Sequence, residues 1–204
     1  MQQNNQNIIR MRKRLFLLLL AFISLCQMNA VERTKLNFNG GWLLKVGDFQ
    51  GAEQANYPDA GWKQITLPRA FNEKEAFKVS IEQLSDTIMW YRKHFHIQEV
   101  GDRKYFIEFE GVRFGADIWL NGKKVGYTEN GVMASGFDLT PYIIKGENVI
   151  AVRVDNSWNY RERTSSQRFQ WNDKNFNANY GGIPKNVFLH ITDKLYQTLP
   201  LYNN

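Results

Sequence analysis

The stretch KYFIEFEGVRFGADIWLNGKKVG, from Lys104 to Gly126, decides the fold of this chain. Its apolar residues recur at every second position in two groups: Tyr105, Ile107 and Phe109, then Ala116, Ile118 and Leu120. A period of two is typical of β-strands that pack one face. Asn121-Gly122 follows, and this pair accepts the positive φ that a type I′ turn requires at both central residues. The stretch therefore predicts three successive strands, the last two joined by a tight hairpin.

The same alternation predicts strands elsewhere in the chain: Trp42 to Val46, Trp62 to Leu67, Met89 to Ile97, Val149 to Val154 and Val187 to Ile191. Thr140 and Pro141 are typical of an N-cap and a first helical residue, and we expect one helical turn that ends at Gly146. Strands separated by turns, with almost no helical periodicity, predict an all-β antiparallel sandwich. The spacing fits a jelly roll and an immunoglobulin-like sandwich equally.

Residues 1–30 are predicted to be a secretory signal peptide. Four basic residues precede an apolar run of 12 residues, Leu15 to Cys26, which is the order of a signal sequence. A membrane-spanning helix needs ~20 apolar residues, so we expect no membrane span. We expect cleavage after Ala30 and export to the periplasm or the extracellular space. Lipid attachment at Cys26 is the alternative.

The leader carries most of the excess positive charge. The whole chain has 26 basic and 20 acidic residues, and removing Arg10, Arg12, Lys13 and Arg14 leaves 22 against 20, a net charge of +2. Nucleic-acid binders concentrate Lys and Arg on one face or helix, whereas here both signs are interspersed. We therefore expect no nucleic-acid partner. The single cysteine lies in the leader, so no disulfide is predicted in the remainder.

Three pairs of polar residues are candidates for chemistry, and each is better interpreted as a solvated surface. His94 and His96 share the outer face of one predicted strand, but no third ligand has suitable spacing, and catalytic zinc sites use three protein ligands. The acidic pairs are Glu108 with Glu110 and Glu73 with Glu75. We predict no metal site, no cofactor and no catalytic residue in this chain.

Seven phrases stand in order along the chain: LNFNGGW, WYRKHF, FIEFEGV, ADIWLNGKKVG, FDLT, KGENVIAVRVDNS and NYGGIPKNVFLHI. Together they closely resemble the N-terminal sugar-binding domain of glycoside hydrolase family 2, the family of β-galactosidases, β-glucuronidases and β-mannosidases. The resemblance covers about Arg33 to Thr192. It implies a galactose-binding-like jelly roll, which in full-length members precedes an immunoglobulin-like domain and a catalytic (β/α)8 barrel.

The expected organisation is a leader over 1–30, a jelly-roll domain over 31–192 and a linker over 193–204 toward a following domain outside these 204 residues. A (β/α)8 barrel typically takes about 250 residues, so none fits here. Retaining glycosidases need two carboxyl groups roughly 5–5.5 Å apart, and in this family both come from the barrel. The resemblance thus implies an accessory domain that binds a galactoside-type carbohydrate and is non-catalytic alone. A free-standing secreted lectin-like module and a structural domain that docks the barrel are the alternatives.

The predicted sugar-binding segment is WNDKNFNANYGG, Trp171 to Gly182, which has no strand periodicity. Its amide and carboxylate side chains suit sugar hydroxyls, and the candidates are Asp173, Asn175, Asn177 and Asn179. The resemblance implies an Asp that reaches the barrel's pocket just before Tyr180-Gly181-Gly182-Ile183. Counting back without gaps places that Asp at Phe176, so a shift toward Asp173, Asn175 or Asn177 is needed, and Asp173 is the only carboxylate.

Aromatic residues on the predicted strands are expected to pack in the core or between sheets rather than to form sugar platforms, because aromatics dominate protein cores. These residues are Trp90, Tyr91, Phe106, Phe109 and Trp119. The core is predicted to contain Tyr105, Ile107, Phe109, Ile118, Leu120, Ile150 and Val152.

Overall fold

The computed structural model describes Lys13 and residues 33–70, 86–129, 131, 133–157, 159–168 and 181–196. The chain divides into two units, Met1–Val31 and Glu32–Asn204. The described part of the second unit forms twelve strands: β1 Thr34–Asn37, β2 Trp42–Val46, β3 Lys63–Ile65, β4 Arg69–Ala70, β5 Ile88–Ile97, β6 Arg103–Phe109, β7 Gly115–Leu120, β8 Lys123–Thr128, β9 Ser135–Asp138, β10 Gly146–Asp155, β11 Gly182–Ile183 and β12 Val187–Asp193. None of the described residues forms a helix long and apolar enough to cross a membrane.

The strands form two main sheets and one small one. The four-stranded sheet has the order β1-β12-β6-β9, the six-stranded sheet the order β3-β2-β5-β10-β7-β8, and β4 pairs with β11. Every strand pair is antiparallel. The predicted all-β antiparallel jelly-roll sandwich is therefore confirmed.

The central hairpin has the predicted geometry. β7 and β8 pair directly, and Asn121 and Gly122 between them have φ of 52° and 77°. The side chain of Asn121 also joins the hairpin to β10, because its Oδ1 accepts a hydrogen bond of 2.9 Å from the backbone N of Val149. The Asn of the turn thus stabilises both the local bend and the neighbouring strand.

The main core lies between the two large sheets, where the alternating apolar residues of both sheets meet. Seven residues predicted for this core are confirmed there, each no more than 2% exposed: Tyr105, Ile107, Phe109, Ile118, Leu120, Ile150 and Val152. Tyr91 also lies in this core, as expected for an aromatic on a strand. Two of its rings, Phe109 and Phe137, meet edge to face with centroids 6.3 Å apart.

A second apolar cluster lies on the outer face of the six-stranded sheet, under the loop between β2 and β3. Trp62, Trp90 and Ala151 are buried there, and Trp119 stacks on Trp90 with ring centroids 5.4 Å apart. Arg92 is fully buried in the same layer. Its guanidinium donates to Asp59 Oδ2 at 2.7 Å and to three backbone carbonyls of the loop, those of Ala52, Gln54 and Ala55.

Among the polar residues predicted to be solvated, Glu108 and His94 have different outcomes. Glu108 is 8% exposed, and its Oε2 lies 2.6 Å from His190 Nε2 and 3.2 Å from Lys35 Nζ, so the prediction that Glu108 is solvated is wrong. His94 is exposed as expected, but its Nε2 and Nδ1 lie 2.9 and 2.7 Å from Asp59 and Glu147. Strand alternation identifies the outer face of a sheet, but ion pairs between strands decide whether a polar side chain on that face is buried or exposed. Glu73 and Glu75 lie outside the described residues.

The segment after β9 makes one turn, but Thr140 is not its cap. The backbone N atoms of Tyr142 and Ile143 both donate to the carbonyl of Leu139, at 3.0 Å. The hydroxyl of Thr140 instead accepts a hydrogen bond of 3.0 Å from the backbone N of Tyr105. The predicted N-cap is therefore wrong, because the hydroxyl bonds to β6.

Candidate functional site

One edge of the six-stranded sheet gathers the long connections of the molecule, and we call it the loop edge. It is defined by adjacent strand ends, since Ile88 pairs with Asp155, Asp155 with Gly115, and Ala116 with Thr128. The connections that follow Thr128 and Asp155, and the one that precedes Ile88, all meet this edge. Loops carried by a rigid sheet are the usual carriers of binding function.

The small sheet lies at the loop edge. It holds two chain segments, Arg69–Ala70 and Gly182–Ile183, side by side. Gly182 pairs with Ala70 in β4 and forms a bridge to Arg113, with both backbone N–H···O distances at 2.8 Å. The Tyr91 hydroxyl donates to the carbonyl of Arg69 at 3.1 Å and accepts from the N of Ile183 at 3.4 Å. Residues 71–85 therefore begin directly after the small sheet. Residues 169–180 end one residue before it.

Gly182 is required by the crowding at this point. Its φ is 108°, which L side chains rarely adopt. A Cβ at this position would overlap the Tyr91 hydroxyl and lie 3.0 Å from Tyr91 Cζ. The approach of β11 to Tyr91 thus depends on the second glycine of the Gly181-Gly182 pair.

Four side chains hold residues 159–168 beside β7 and β8, and we call them the clasp: Asp117, Glu129, Tyr160 and Arg163. The Tyr160 hydroxyl donates to Glu129 Oε1, which also accepts from the backbone N of Arg163 at 2.9 Å. Arg163 Nη2 donates to Asp117 Oδ2 at 2.6 Å, and Lys124 Nζ lies 2.8 Å from Asp117 Oδ1. The ring of Tyr160 occupies the space that a Cβ at Gly115 would need.

The pKa shifts in the clasp keep Asp117 ionised and Tyr160 protonated. Burial raises the pKa of Asp117, but the hydrogen bonds from Arg163 and Lys124 outweigh it, and the net pKa lies below the usual value. Burial and the neighbouring Glu129 raise the pKa of Tyr160, so the hydroxyl stays protonated. Asp117 thus lacks the raised pKa that a carboxyl group acting as a general acid would need.

The predicted sugar-binding residues Asp173, Asn175, Asn177 and Asn179 lie outside the described residues. The structure describes the glycines that follow them: Gly181 is buried next to the small sheet, and Gly182 is buried within it, in β11. Among the described residues, no group of three or more His, Cys, Asp or Glu side chains is arranged to hold a metal ion.

The clasp was not predicted from the sequence. Asp117 lies between Ala116 and Ile118 in β7 and is 7% exposed. Its partner Arg163 lies 46 positions along the chain, in a segment without periodicity. An acidic residue between apolar residues on a central strand is the signal that could have indicated a buried ion pair.

Comparison with known proteins agrees with this fold. Residues 63–190 match the family model described as "Glycosyl hydrolase 2 galactose-binding domain-like". A β-glucuronidase of Formosa agariphila is 40% identical over 182 residues, which cover 85% of this chain and 18% of that protein. A β-galactosidase of Thermoanaerobacter pseudethanolicus is 33% identical over 162 residues, covering 78% of this chain and 21% of that protein.

Solved structures of glycoside hydrolases superpose on this fold. A β-glucuronidase from glycoside hydrolase family 2 superposes with a TM-score of 0.72 and 37% identity, covering 87% of this chain and 19% of that one. A family 2 member from Bacteroides cellulosilyticus has a TM-score of 0.61 and 29% identity, covering 78% of this chain and 21% of that one. This chain spans about a fifth of the length of these relatives. Its match over 63–190 shows that it belongs to the galactose-binding domain-like family of glycosyl hydrolase 2.

Proposed function

We propose that this chain is the carbohydrate-binding N-terminal domain of a β-galactosidase- or β-glucuronidase-type glycoside hydrolase, and that it is non-catalytic alone. Its partners are a catalytic (β/α)8 barrel and an immunoglobulin-like domain of the same enzyme, and its ligand is a galactoside-type or related glycan. The chain covers only 18% and 19% of the two β-glucuronidases compared above, which supports its assignment as one domain of a larger enzyme. The clasp supports it too, since its carboxylates are held by cations and hydroxyls.

The main support for the proposal is the pairing of β4 with β11 at the loop edge. Residues 71–85 leave this pair directly after Ala70, and residues 169–180 return to it directly before Gly181. Two long connections that share one fixed base are suited to form a joint surface toward a ligand or a neighbouring domain. The clasp fixes Arg163, six residues before the second of them begins.

Within that segment we propose that Asp173, Asn175, Asn177 and Asn179 bind sugar hydroxyls, with Asp173 as the main contact. A carboxylate accepts hydrogen bonds from two hydroxyls at once, and Asn both donates and accepts. Charge-assisted hydrogen bonds are about twice as strong as neutral ones, which favours Asp173 over the three amides. The proposal follows from side-chain chemistry and from the base of the segment at Gly181.

The test is Asp173→Ala in the chain joined to its catalytic domains. We expect kcat/KM for an aryl glycoside to fall at least about tenfold, the effect of losing a hydrogen bond to a charged group. The melting temperature should stay unchanged, since the substitution removes a ligand contact. Asp102→Ala, at a side chain 83% exposed in the turn before β6, is the matched control. Unchanged kinetics in both Asp173→Ala and Asn175→Ala would contradict the proposed site.

We further propose that the protein is exported, with residues 1–30 removed as a signal peptide. The support is the order of basic and apolar residues in the leader. Mass spectrometry of the protein from a Gram-negative host should show a species that starts near Val31. A lipid-modified species that starts at Cys26 would replace signal cleavage after Ala30 with lipoprotein anchoring.

A further inference from the structure

Arg113 lies at the loop edge, in the turn between β6 and β7, with a half-buried side chain. Its backbone is fixed by the two hydrogen bonds to Gly182, and its guanidinium lies over the ring of Phe114, 4.8 Å from the centroid. The Nε atom is buried and has no hydrogen-bond partner in the described structure. Nor does any carboxylate among the described residues form an ion pair with this guanidinium.

Three other arginines of the described structure each have a carboxylate partner. Arg92 binds Asp59 at 2.7 Å, Arg153 binds Asp48 at 2.7 Å, and Arg163 binds Asp117 at 2.6 Å. For Arg113, desolvation lowers the pKa without a neighbouring carboxylate to offset it. Buried polar groups normally have partners, and a desolvated charge without one is costly. The position is therefore suited to an anion that arrives from outside the described residues.

We propose that Arg113 binds a carboxylate, supplied by a uronic acid residue of the glycan ligand. A guanidinium presents a planar fork of donors that matches a carboxylate in a bidentate way, and it stays charged when partly desolvated. Arg113 also touches Gly182, where the proposed sugar-binding segment ends. This inference rests on the proposed function and adds the ligand class, an acidic sugar. A carboxylate side chain of a following domain has the same chemistry, and the experiment separates the two sources.

The experiment follows the ¹⁵Nε–¹Hε signal of Arg113 by NMR in the full 204-residue chain. The probes are methyl β-D-glucuronide, methyl β-D-glucoside and acetate, each titrated at constant pH and ionic strength. The signal is assigned by its loss in Arg113→Met, which keeps an unbranched apolar stem over Phe114. Arg103→Met is the matched control, because it removes one positive charge at the other end of β6.

We expect the glucuronide to shift the signal, the glucoside to leave it unchanged, and Arg113→Met to weaken glucuronide binding at least about tenfold. Arg103→Met should bind like the wild type. If Arg113→Met does not fold, Arg113→Lys, which keeps the charge and loses the fork, should weaken glucuronide binding in the same direction. The comparison of glucuronide with glucoside on the unaltered chain needs no variant.

A glucuronide that binds at least tenfold tighter than acetate would assign the carboxylate to the sugar. Equal affinities would overturn the sugar as the source and assign it to a protein carboxylate. No shift with either carboxylate, or an equal shift with the glucoside, would overturn the carboxylate site itself. An Asp173→Ala enzyme with unchanged kinetics would contradict the proposed sugar segment without affecting these results, so the two failures are distinguishable.

Discussion

Replacing Gly182 with Ala tests whether the small sheet at the loop edge is built as described. Two costs add at this position. The first is backbone strain, because an Ala would have to adopt the φ of 108° that Gly182 has. Strained backbone conformations of this kind cost about 1–3 kcal/mol each.

The second cost is the displacement of the Tyr91 hydroxyl, which a Cβ at residue 182 would overlap. Moving it weakens its hydrogen bonds to the carbonyl of Arg69, at 3.1 Å, and from the N of Ile183, at 3.4 Å. Hydrogen bonds contribute about 0.5–1.5 kcal/mol each, and the longer of these two lies at the low end. Together the strain and the lost bonds predict a loss of about 2–5 kcal/mol in the free energy of unfolding.

A double-mutant cycle with Tyr91→Phe separates the two costs. The Phe removes the hydroxyl and the overlap, so the double variant should lose less than the sum of the single losses, by about 1 kcal/mol or more. Unfolding in urea followed by tryptophan fluorescence gives the four free energies. Gly61→Ala is the control, because no atom lies within 4 Å of its Cβ and its φ is not positive. Losses that add within about 0.3–0.5 kcal/mol would refute the contact between Gly182 and Tyr91.

The core, the clasp and His94 can each be tested by a single substitution. Phe109→Ala should cost about 3–5 kcal/mol in urea unfolding, since Phe109 is fully buried, and a loss under about 1 kcal/mol would contradict its inward orientation. Asp117→Asn should speed tryptic cleavage after Arg163, because the Arg163 ion pair at 2.6 Å holds the segment, and an unchanged rate would contradict the clasp. For His94, burial is outweighed by Asp59 and Glu147, which raise its pKa. Its stabilising contribution is therefore complete below the unfolded pKa of about 6.5 and is lost as pH rises through the higher folded pKa. His94→Gln should therefore flatten the fall in the free energy of unfolding above about pH 6.5. Parallel curves of the free energy of unfolding against pH for the variant and the wild type would contradict the raised pKa.

Local sequence predicted the regular part of the fold because strand alternation and the Asn-Gly turn are short-range properties. Tyr105, Ile107 and Phe109 point inward whatever their partners are, so their burial could be predicted from spacing alone. The burial of Glu108 could not be predicted in this way, since it depends on His190, 82 positions away. Arg92 is similar, because a loop some 33–40 positions earlier in the chain covers it.

The short strands β4 and β11 were missed for a related reason. Each has two residues, which is too few for an alternation to be visible, and they form because Gly182 bonds to Arg113 and pairs with Ala70. Arg113 was missed as well, since a single Arg in a turn has no pattern. What distinguishes it is the absence of a carboxylate beside it in the described structure, and three-dimensional contacts alone can show that.

We propose that this chain contributes carbohydrate binding and no catalysis to a larger enzyme. The most direct measurement incubates the purified chain with p-nitrophenyl β-D-galactoside and p-nitrophenyl β-D-glucuronide and follows nitrophenol release, alone and with a separately expressed catalytic barrel from the same enzyme. We predict no release above the buffer rate by the chain alone, and release by the barrel that rises when the chain is added. Turnover by the chain alone that survives repurification, or a barrel whose activity does not respond to the chain, would contradict a non-catalytic binding role.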